Sequence, residues 1–267
     1  MKREIEEFFF ENKIEYFAAL DYRDAREIAP EIMERESFTP ESVIVFLIPY
    51  YAGKTANLSV YAASLDYHIF IREISERLIL LMKEHYPDNH FKAYGDHSPI
   101  YEVGAALSAG LGIRGDNGLF INEKYGSYVF VADLVTDIPP SEIGTVNKEV
   151  RECVHCGRCK KACPTGILRA EGNDCLSSIT QRKGELSEKE VQLMKKCDTV
   201  WGCDLCQSAC PYNESPEITP IEFFHKDRIE KLTSEILSAL SKEDFKNRAF
   251  GWRGRATVER NLKLLGY

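Results

Sequence analysis

Long apolar stretches are missing from this sequence. The longest, Val43 to Ile48, has six residues, where a bilayer-spanning helix needs about 20, so no membrane partner is expected. The opening residues, Met1-Lys-Arg-Glu-Ile-Glu-Glu-Phe-Phe-Phe, turn acidic at once and lack an apolar signal core and a small-residue cleavage site. Their composition predicts a cytoplasmic protein. Positive charge is short as well: 34 Lys and Arg stand against 42 Asp and Glu, a net charge of −8. No overall positive field draws in a polyanion, and any RNA contact requires a local basic patch. Low-complexity tracts are absent, and no internal repeat is present beyond a pair of cysteine runs.

Cysteine is plentiful. There are nine in 267 residues, and in a reducing compartment they point to metal rather than disulfides. The first run is Cys153-Val-His-Cys156-Gly-Arg-Cys159-Lys-Lys-Ala-Cys163-Pro164, and the second is Trp201-Gly-Cys203-Asp-Leu-Cys206-Gln-Ser-Ala-Cys210-Pro211. The C-x₂-C-x₂-C-x₃-C-P spacing of the first is the bacterial iron–sulfur pattern, in which three thiolates hold one cubane and the fourth reaches the other cluster. Zinc ribbons use separated C-x₂-C pairs, so four thiols crowded into one short segment favour two [4Fe-4S] clusters. By the crossed arrangement, Cys153, Cys156 and Cys159 take Cys210, while Cys163, Cys203 and Cys206 need a fourth ligand. Cys175 and Cys197 are the candidates. Cys175 follows the loop Glu171-Gly-Asn-Asp, where the backbone can bend toward a cluster, and is the choice. Cys197, at the end of a lysine-containing helix, is then an unliganded thiol behaving as a small hydrophobe. His155 reads as a surface or sulfur-facing residue rather than a ligand.

The whole chain is 44% hydrophobic and can bury a sizeable core. Residues 2–12 have helical apolar spacing, and 14–20 can form a first strand. A charged helix is expected over 24–36, broken at Pro30. Ser42-Val-Ile-Val-Phe-Leu-Ile-Pro49 is a β-branched run with the profile of a central strand buried on both faces. A long helix covers 66–86 and stops at Pro87. Phe91 to Tyr94 is a short strand, 100–108 a short helix, and 118–122 with 127–133 a pair of strands joined by a Glu-Lys-Tyr-Gly turn. A helix over 187–197 separates the cysteine runs, and 220–247 reads as mostly charged helix. The expected class is α+β: a mixed sheet with flanking helices over 1–144, a ferredoxin-like two-cluster domain over 145–215, and a helical segment over 216–267 packing on both.

Two further stretches carry candidate chemistry. Gly110-Leu-Gly112-Ile-Arg-Gly115 has the letters G-x-G-x-x-G, but a helix precedes it and a strand follows, the reverse of a dinucleotide site. It reads instead as a turn that lets backbone approach something flat or bulky. Asp96 ends a short strand between Gly95 and Ser98-Pro99. It is either a turn-capping aspartate or a general acid whose pKa is raised by partial burial.

Taken together, these motifs resemble the epoxyqueuosine reductase family. The resemblance rests on Asp66-Tyr67-His68, Asp96-x-x-Pro99 with Glu102, Ala109 through Gly115 with Asn117, Tyr125-Gly-Ser127, both cysteine runs, Cys175-Leu-Ser177, and Gly251-Trp-Arg-Gly254 with Arg260-Asn261. It covers roughly residues 40 to 267. It implies cobalamin and two [4Fe-4S] clusters used to reduce the epoxide of epoxyqueuosine in tRNA, a cofactor arrangement similar to that of reductive dehalogenases. Carried over, Asp96 is the proton donor and Cys175 the fourth ligand of the second cluster. The glycine turn of Gly110, Gly112 and Gly115 faces the corrinoid. Asp66, Tyr67, His68, Ser98, Asn117 and Ser177 complete the expected cofactor-binding set. An external electron donor such as a ferredoxin or flavodoxin is implied. Three features depart from the pattern: Asp116 stands where the family has lysine, Leu65 where it has arginine, and the chain ends where a helical-repeat domain would begin. The rival readings are an electron-transfer or corrinoid-handling protein, and a related reductase with a non-tRNA substrate.

Overall fold

The strand Ser42–Pro49 is buried along its whole length, and its neighbours follow from that. A computed structural model describes residues 3–169 and 174–267. Contacts divide the chain into two units, Met1–Tyr50 with Phe70–His155, and Tyr51–Ile69 with Cys156–Tyr267. The strands are β1 (Phe17–Asp21), β2 (Ser42–Pro49), β3 (Phe91–Tyr94), β4 (Ile113–Arg114), β5 (Phe120–Ile121) and β6 (Val129–Thr136). The main sheet has the order β1-β2-β6-β3, antiparallel at every pairing. β2 is therefore interior, as a continuous β-branched run requires.

In the first unit the sheet is covered on one side by a core including Leu20, Val43, Val45, Leu47, Ala105, Ala106 and Val135. Phe9, from the helix Arg3–Glu11, stacks on Phe17 at 4.4 Å and tilts against Phe46 at 5.4 Å. The long helix runs Tyr67–His85 and the short one Glu102–Ser108, within a residue or two of expectation. The expected hairpin over 118–133 is corrected: β5 pairs with β4 in a separate two-stranded ribbon, and β6 pairs with β2 and β3. Only a single bridge, Asn122 to Gly126, spans the turn. Asn122 folds its side chain back onto the backbone N–H groups of Lys124 and Tyr125, which closes the turn locally instead of extending a ladder.

The helix expected over 24–36 shrinks to Pro30–Met33. Pro30 lacks the N–H needed in a helix interior but fits its first turn, so it starts the helix rather than kinking it. The second unit is built on Trp201, fully buried, with Phe250 edge-on at 6.3 Å. Asn57 brackets Leu232, donating to its carbonyl at 2.9 Å and accepting from its N–H at 2.8 Å. The long helix expected over 220–247 is replaced by short pieces, Ser234–Ala239 and Lys242–Lys246. Thr233 and Ser241 each accept from a backbone N–H three residues on, restarting the chain where a continuous helix would have passed through. The helix Glu188–Cys197 opens on a capping box between Ser187 and Glu190. Among the described residues no helix is long and apolar enough to cross a membrane.

Because Phe46 is wholly buried on the central strand, Phe46→Ala is expected to lower unfolding free energy by about 3–5 kcal/mol, measured by urea titration.

Candidate functional site

The nine cysteines are all free thiols. In the second unit, Cys159 lies on the helix Arg158–Ala162 and Cys206 on the helix Leu205–Ser208, and these two short helices pack on each other. Gly157, at φ +71°, turns the chain into the first of them. Burial raises the Cys163 thiol, but the Thr165 hydroxyl at 3.5 Å and the backbone N–H groups of Leu168, Gly166 and Thr165 outweigh it and hold the group below its ordinary range. That donor fan suits a thiolate. Cys203 is pushed up to about 12, first by burial and then by Cys175, Cys206 and Asp204 around it. Thiols crowded in this way cannot all ionise together unless a cation sits among them, and a bound metal would reverse the shift outright. The donor set therefore fits iron–sulfur ligation.

Cys175 is exposed and caps the helix Leu176–Gln181. Residues 170–173 lie outside the described residues, so most of the loop argument for Cys175 falls there. Cys197 packs against the cluster of Leu176, Ile179 and Met194, and burial pushes its thiol up. Cys153 belongs to the first unit, where its N–H donates to the Arg114 carbonyl at 2.9 Å. His155 adopts φ 52° and places Nδ1 2.7 Å from Asp116 Oδ1. Asp116, Cys153 and His155 thus gather a carboxylate, a thiol and an imidazole.

Behind the second run, Gly202 sits at φ +74°, and a Cβ there would lie 2.4 Å from Ser59 Cβ. Asp204 is fixed between the Ser59 hydroxyl at 2.6 Å and the Val60 N–H at 2.7 Å. Its pKa is raised, chiefly by burial. Residues 51–69 are fastened in this way to the cysteine segment of their own unit. In that stretch Asp66 accepts from the N–H and Nδ1 of His68, and Tyr67 stacks on His68 at 4.2 Å. Ser177 accepts from the Gln181 side chain at 3.0 Å.

In the first unit the glycine turn approaches the chain itself. A Cβ on Gly112 would meet the Ile121 carbonyl at 2.3 Å, and one on Gly110 the Lys148 side chain at 2.3 Å. Beside Gly115, Asn117 Nδ2 is buried with no hydrogen-bond partner among the described residues, a donor left over for a ligand. Asp96 has φ 68°, a left-handed conformation that Asp tolerates better than most residues. Its N–H donates to Glu102 Oε1 at 2.9 Å. Ser98 is buried and accepts from the Ile100 N–H at 3.2 Å.

One group was missed from the sequence: Asp133, on β6, fully buried with neither oxygen hydrogen-bonded among the described residues. Its pKa is raised well above the usual carboxylate range, by burial and then by the Glu102 charge, against the opposing Ser98 hydroxyl. Tyr94 and Tyr22 also feel it. The signal available was a lone acid in the apolar strand Val-Phe-Val-Ala-Asp-Leu-Val-Thr.

Residues 152–213 match the family model of a 4Fe-4S double cluster binding domain. Site and fold together define a two-cluster iron–sulfur protein of α+β class. The chain is 33% identical to an epoxyqueuosine reductase of Listeria monocytogenes, over 89% of this chain and 66% of that one. It is 30% identical to that of Leadbetterella byssophila, over 76% of this chain and 71% of that one. An epoxyqueuosine reductase solved with an epoxyqueuosine-modified tRNA-Tyr stem loop shares the fold at TM-score 0.78 and 24% identity, over 99% of this chain and 80% of that one. The chain belongs to the epoxyqueuosine reductase family. It spans just under two thirds of the Listeria protein's length.

A carboxyl whose folded pKa lies above its unfolded value binds its proton more tightly when folded. The stability it contributes is complete below the unfolded pKa of about 4 and is lost as pH rises through the folded value. Urea titrations are therefore expected to show wild type losing stability relative to Asp133→Asn between pH 4 and pH 7; parallel curves would contradict this.

Proposed function

We propose that this chain is an epoxyqueuosine reductase acting on tRNA. Removing an epoxide oxygen as water takes two electrons and two protons, and the chain offers groups suited to both. Cobalamin and two [4Fe-4S] clusters, when bound, supply the electrons. Cys153, Cys156, Cys159 and Cys210 are assigned to one cluster, and Cys163, Cys203, Cys206 and Cys175 to the other. The electrostatic action of Cys175 on Cys203 supports that choice.

The corrinoid is assigned to Gly110, Gly112, Gly115 and Asn117 with Asp66, Tyr67, His68, Ser98 and Ser177. The unpartnered Asn117 Nδ2 suits a ring edged with amides. By this reading residues 1–144 serve the corrinoid and substrate and 145–215 serve the clusters. Asp96 gives its proton to the leaving oxygen and is then reprotonated from solvent. The observation that carries the reading is the Asp96 loop: an acid held in a left-handed turn by Glu102, in a chain that also bears the double-cluster run. Orientation of this kind is what general acid catalysis needs. The tRNA partner is proposed by analogy with the relative solved on a modified stem loop, and the electron donor is assigned to a ferredoxin or flavodoxin.

Anaerobic reconstitution with iron, sulfide and cob(II)alamin is expected to yield about eight iron atoms per chain, with cluster and corrinoid signals by electron paramagnetic resonance. The reconstituted protein should convert an epoxyqueuosine-bearing stem loop, and Asp96→Asn should slow that conversion roughly 100-fold or more with the signals unchanged. Bound zinc, or iron near half the expected value, would overturn the cluster assignment. Cobalamin binding with no conversion would favour a corrinoid-handling role.

A further inference from the structure

Arg260 and Asn261 lie on the C-terminal helix Arg255–Leu265, outside the residues that match the double-cluster model, yet both reach the segments of their own unit that carry cysteine. Asn261 is wholly buried. Its Nδ2 donates to the Thr180 carbonyl at 2.7 Å and to the Val200 carbonyl at 2.8 Å, while its Oδ1 accepts from Arg260 Nε at 3.1 Å and Nη2 at 2.8 Å. Both amide hydrogens and both lone pairs are used, and only this orientation serves two carbonyls on one side and a guanidinium on the other. Arg260 Nη1 donates to the carbonyls of Arg182, at 2.7 Å, and of Gly184. Thr180 is wholly buried too, and its hydroxyl donates to the Ser177 carbonyl at 2.8 Å and accepts from the Gly202 N–H at 2.9 Å. Thr180 belongs to the helix Leu176–Gln181, which Cys175 caps. Val200 and Gly202 belong to the turn that leads directly into Cys203, closed by the Thr199 hydroxyl on the Gly202 carbonyl at 2.8 Å.

We propose that Asn261 and Thr180 are positioning residues for the cluster assigned to Cys163, Cys175, Cys203 and Cys206, joining the backbone that carries Cys175 to the backbone that carries Cys203. The inference rests on that assignment of Cys175. Cys175 lies in neither cysteine run, so no local spacing sets it against Cys203. The crosslink does so instead, because one buried amide bonds a carbonyl on each side and one buried hydroxyl bonds across at a second point. Removing either side chain leaves buried carbonyls or an N–H without a partner, and those groups recover hydrogen bonds only if helix and turn shift. Neither residue is a ligand; each acts through the thiol that its backbone partner carries. The site of that cluster therefore extends to the C-terminal helix.

The test follows iron release to bathophenanthroline from the reconstituted full chain under anaerobic conditions, together with electron paramagnetic resonance, and needs no substrate. Thr180→Val keeps the shape and loses the hydroxyl. It is expected to release about half of the iron roughly tenfold faster, the size of one lost hydrogen bond, and the other half at the wild-type rate. Thr180→Ser, which keeps the hydroxyl, should stay within about twofold of wild type. Asn261→Asp still accepts from Arg260 but cannot donate to the two carbonyls, and it should make the same half labile. Cys175→Ser identifies that half: the signal it alters should be the one Thr180→Val alters, and adding Thr180→Val to it should change release little. Wild-type release in Thr180→Val and Asn261→Asp would overturn the inference, as would equal acceleration of both halves, which marks a general loosening of the fold. Should Thr180→Val fail to fold, Thr180→Ala carries the same comparison. If Cys175→Ser labilises half of the iron and the Thr180 and Asn261 variants do not, the assignment of Cys175 stands and the inference falls. If Cys175→Ser itself leaves release and signals at wild type, the assignment falls and takes the inference with it.

Discussion

Thiols crowded into two short segments impose the constraint on which the second unit depends. Sulfurs this close cannot share negative charge in a partly buried setting without a cation among them, and backbone must bend tightly to bring them together. The unit meets the second demand with residues that are not ligands. Gly157 and Gly202 take left-handed turns beside the cysteines, and at Gly202 the space for any side chain is already filled by Ser59. Asp204, between two thiols in sequence, spends its carboxylate on Ser59 and Val60 rather than on solvent. Trp201 closes the apolar side, with its indole N–H donated to Tyr61 at 3.0 Å.

The first unit holds the loop to which the proposed function assigns the acid. Its sheet is conventional, with a fully buried interior strand and antiparallel partners, and it is rigid for that reason. The acid loop springs from the edge strand β3, where the chain is least constrained by pairing. Rigidity is then restored by Glu102 reaching back to the loop. A loop anchored on a backbone hydrogen bond can be ordered or released at small energetic cost, which in the proposed function suits an acid that meets a bulky substrate.

Asp116 illustrates how a departure from a family pattern is absorbed locally. Where the resemblance implies lysine, this chain has an acid, and the acid is engaged by His155 inside the first cysteine run. The charge reversal is thereby tied to an imidazole that the cysteine spacing brings along. The pair sits next to Cys153.

Periodicity and spacing made much of the molecule legible before any coordinates. β2, β3 and the helix Tyr67–His85 were readable because buried strands and amphipathic helices write their period directly into the chain. The cysteine runs were readable because cluster ligation needs a fixed local spacing. Pairing partners were not, since β5 and β6 are both good strands and only the sheet decides which neighbour each takes. The break-up of 220–247 was hidden by its charged, helix-favouring composition: Thr233 and Ser241 are good caps, but the packing of Leu237, Phe245 and Phe250 with Trp201 is not written in the local pattern. Asp133 is the sharpest case. In sequence it is one acid in an apolar strand, and only the tertiary structure, by sealing it from water, raised its pKa. What is local in physics was determined by the sequence itself; what depends on exclusion of water and on distant neighbours was decided by the fold.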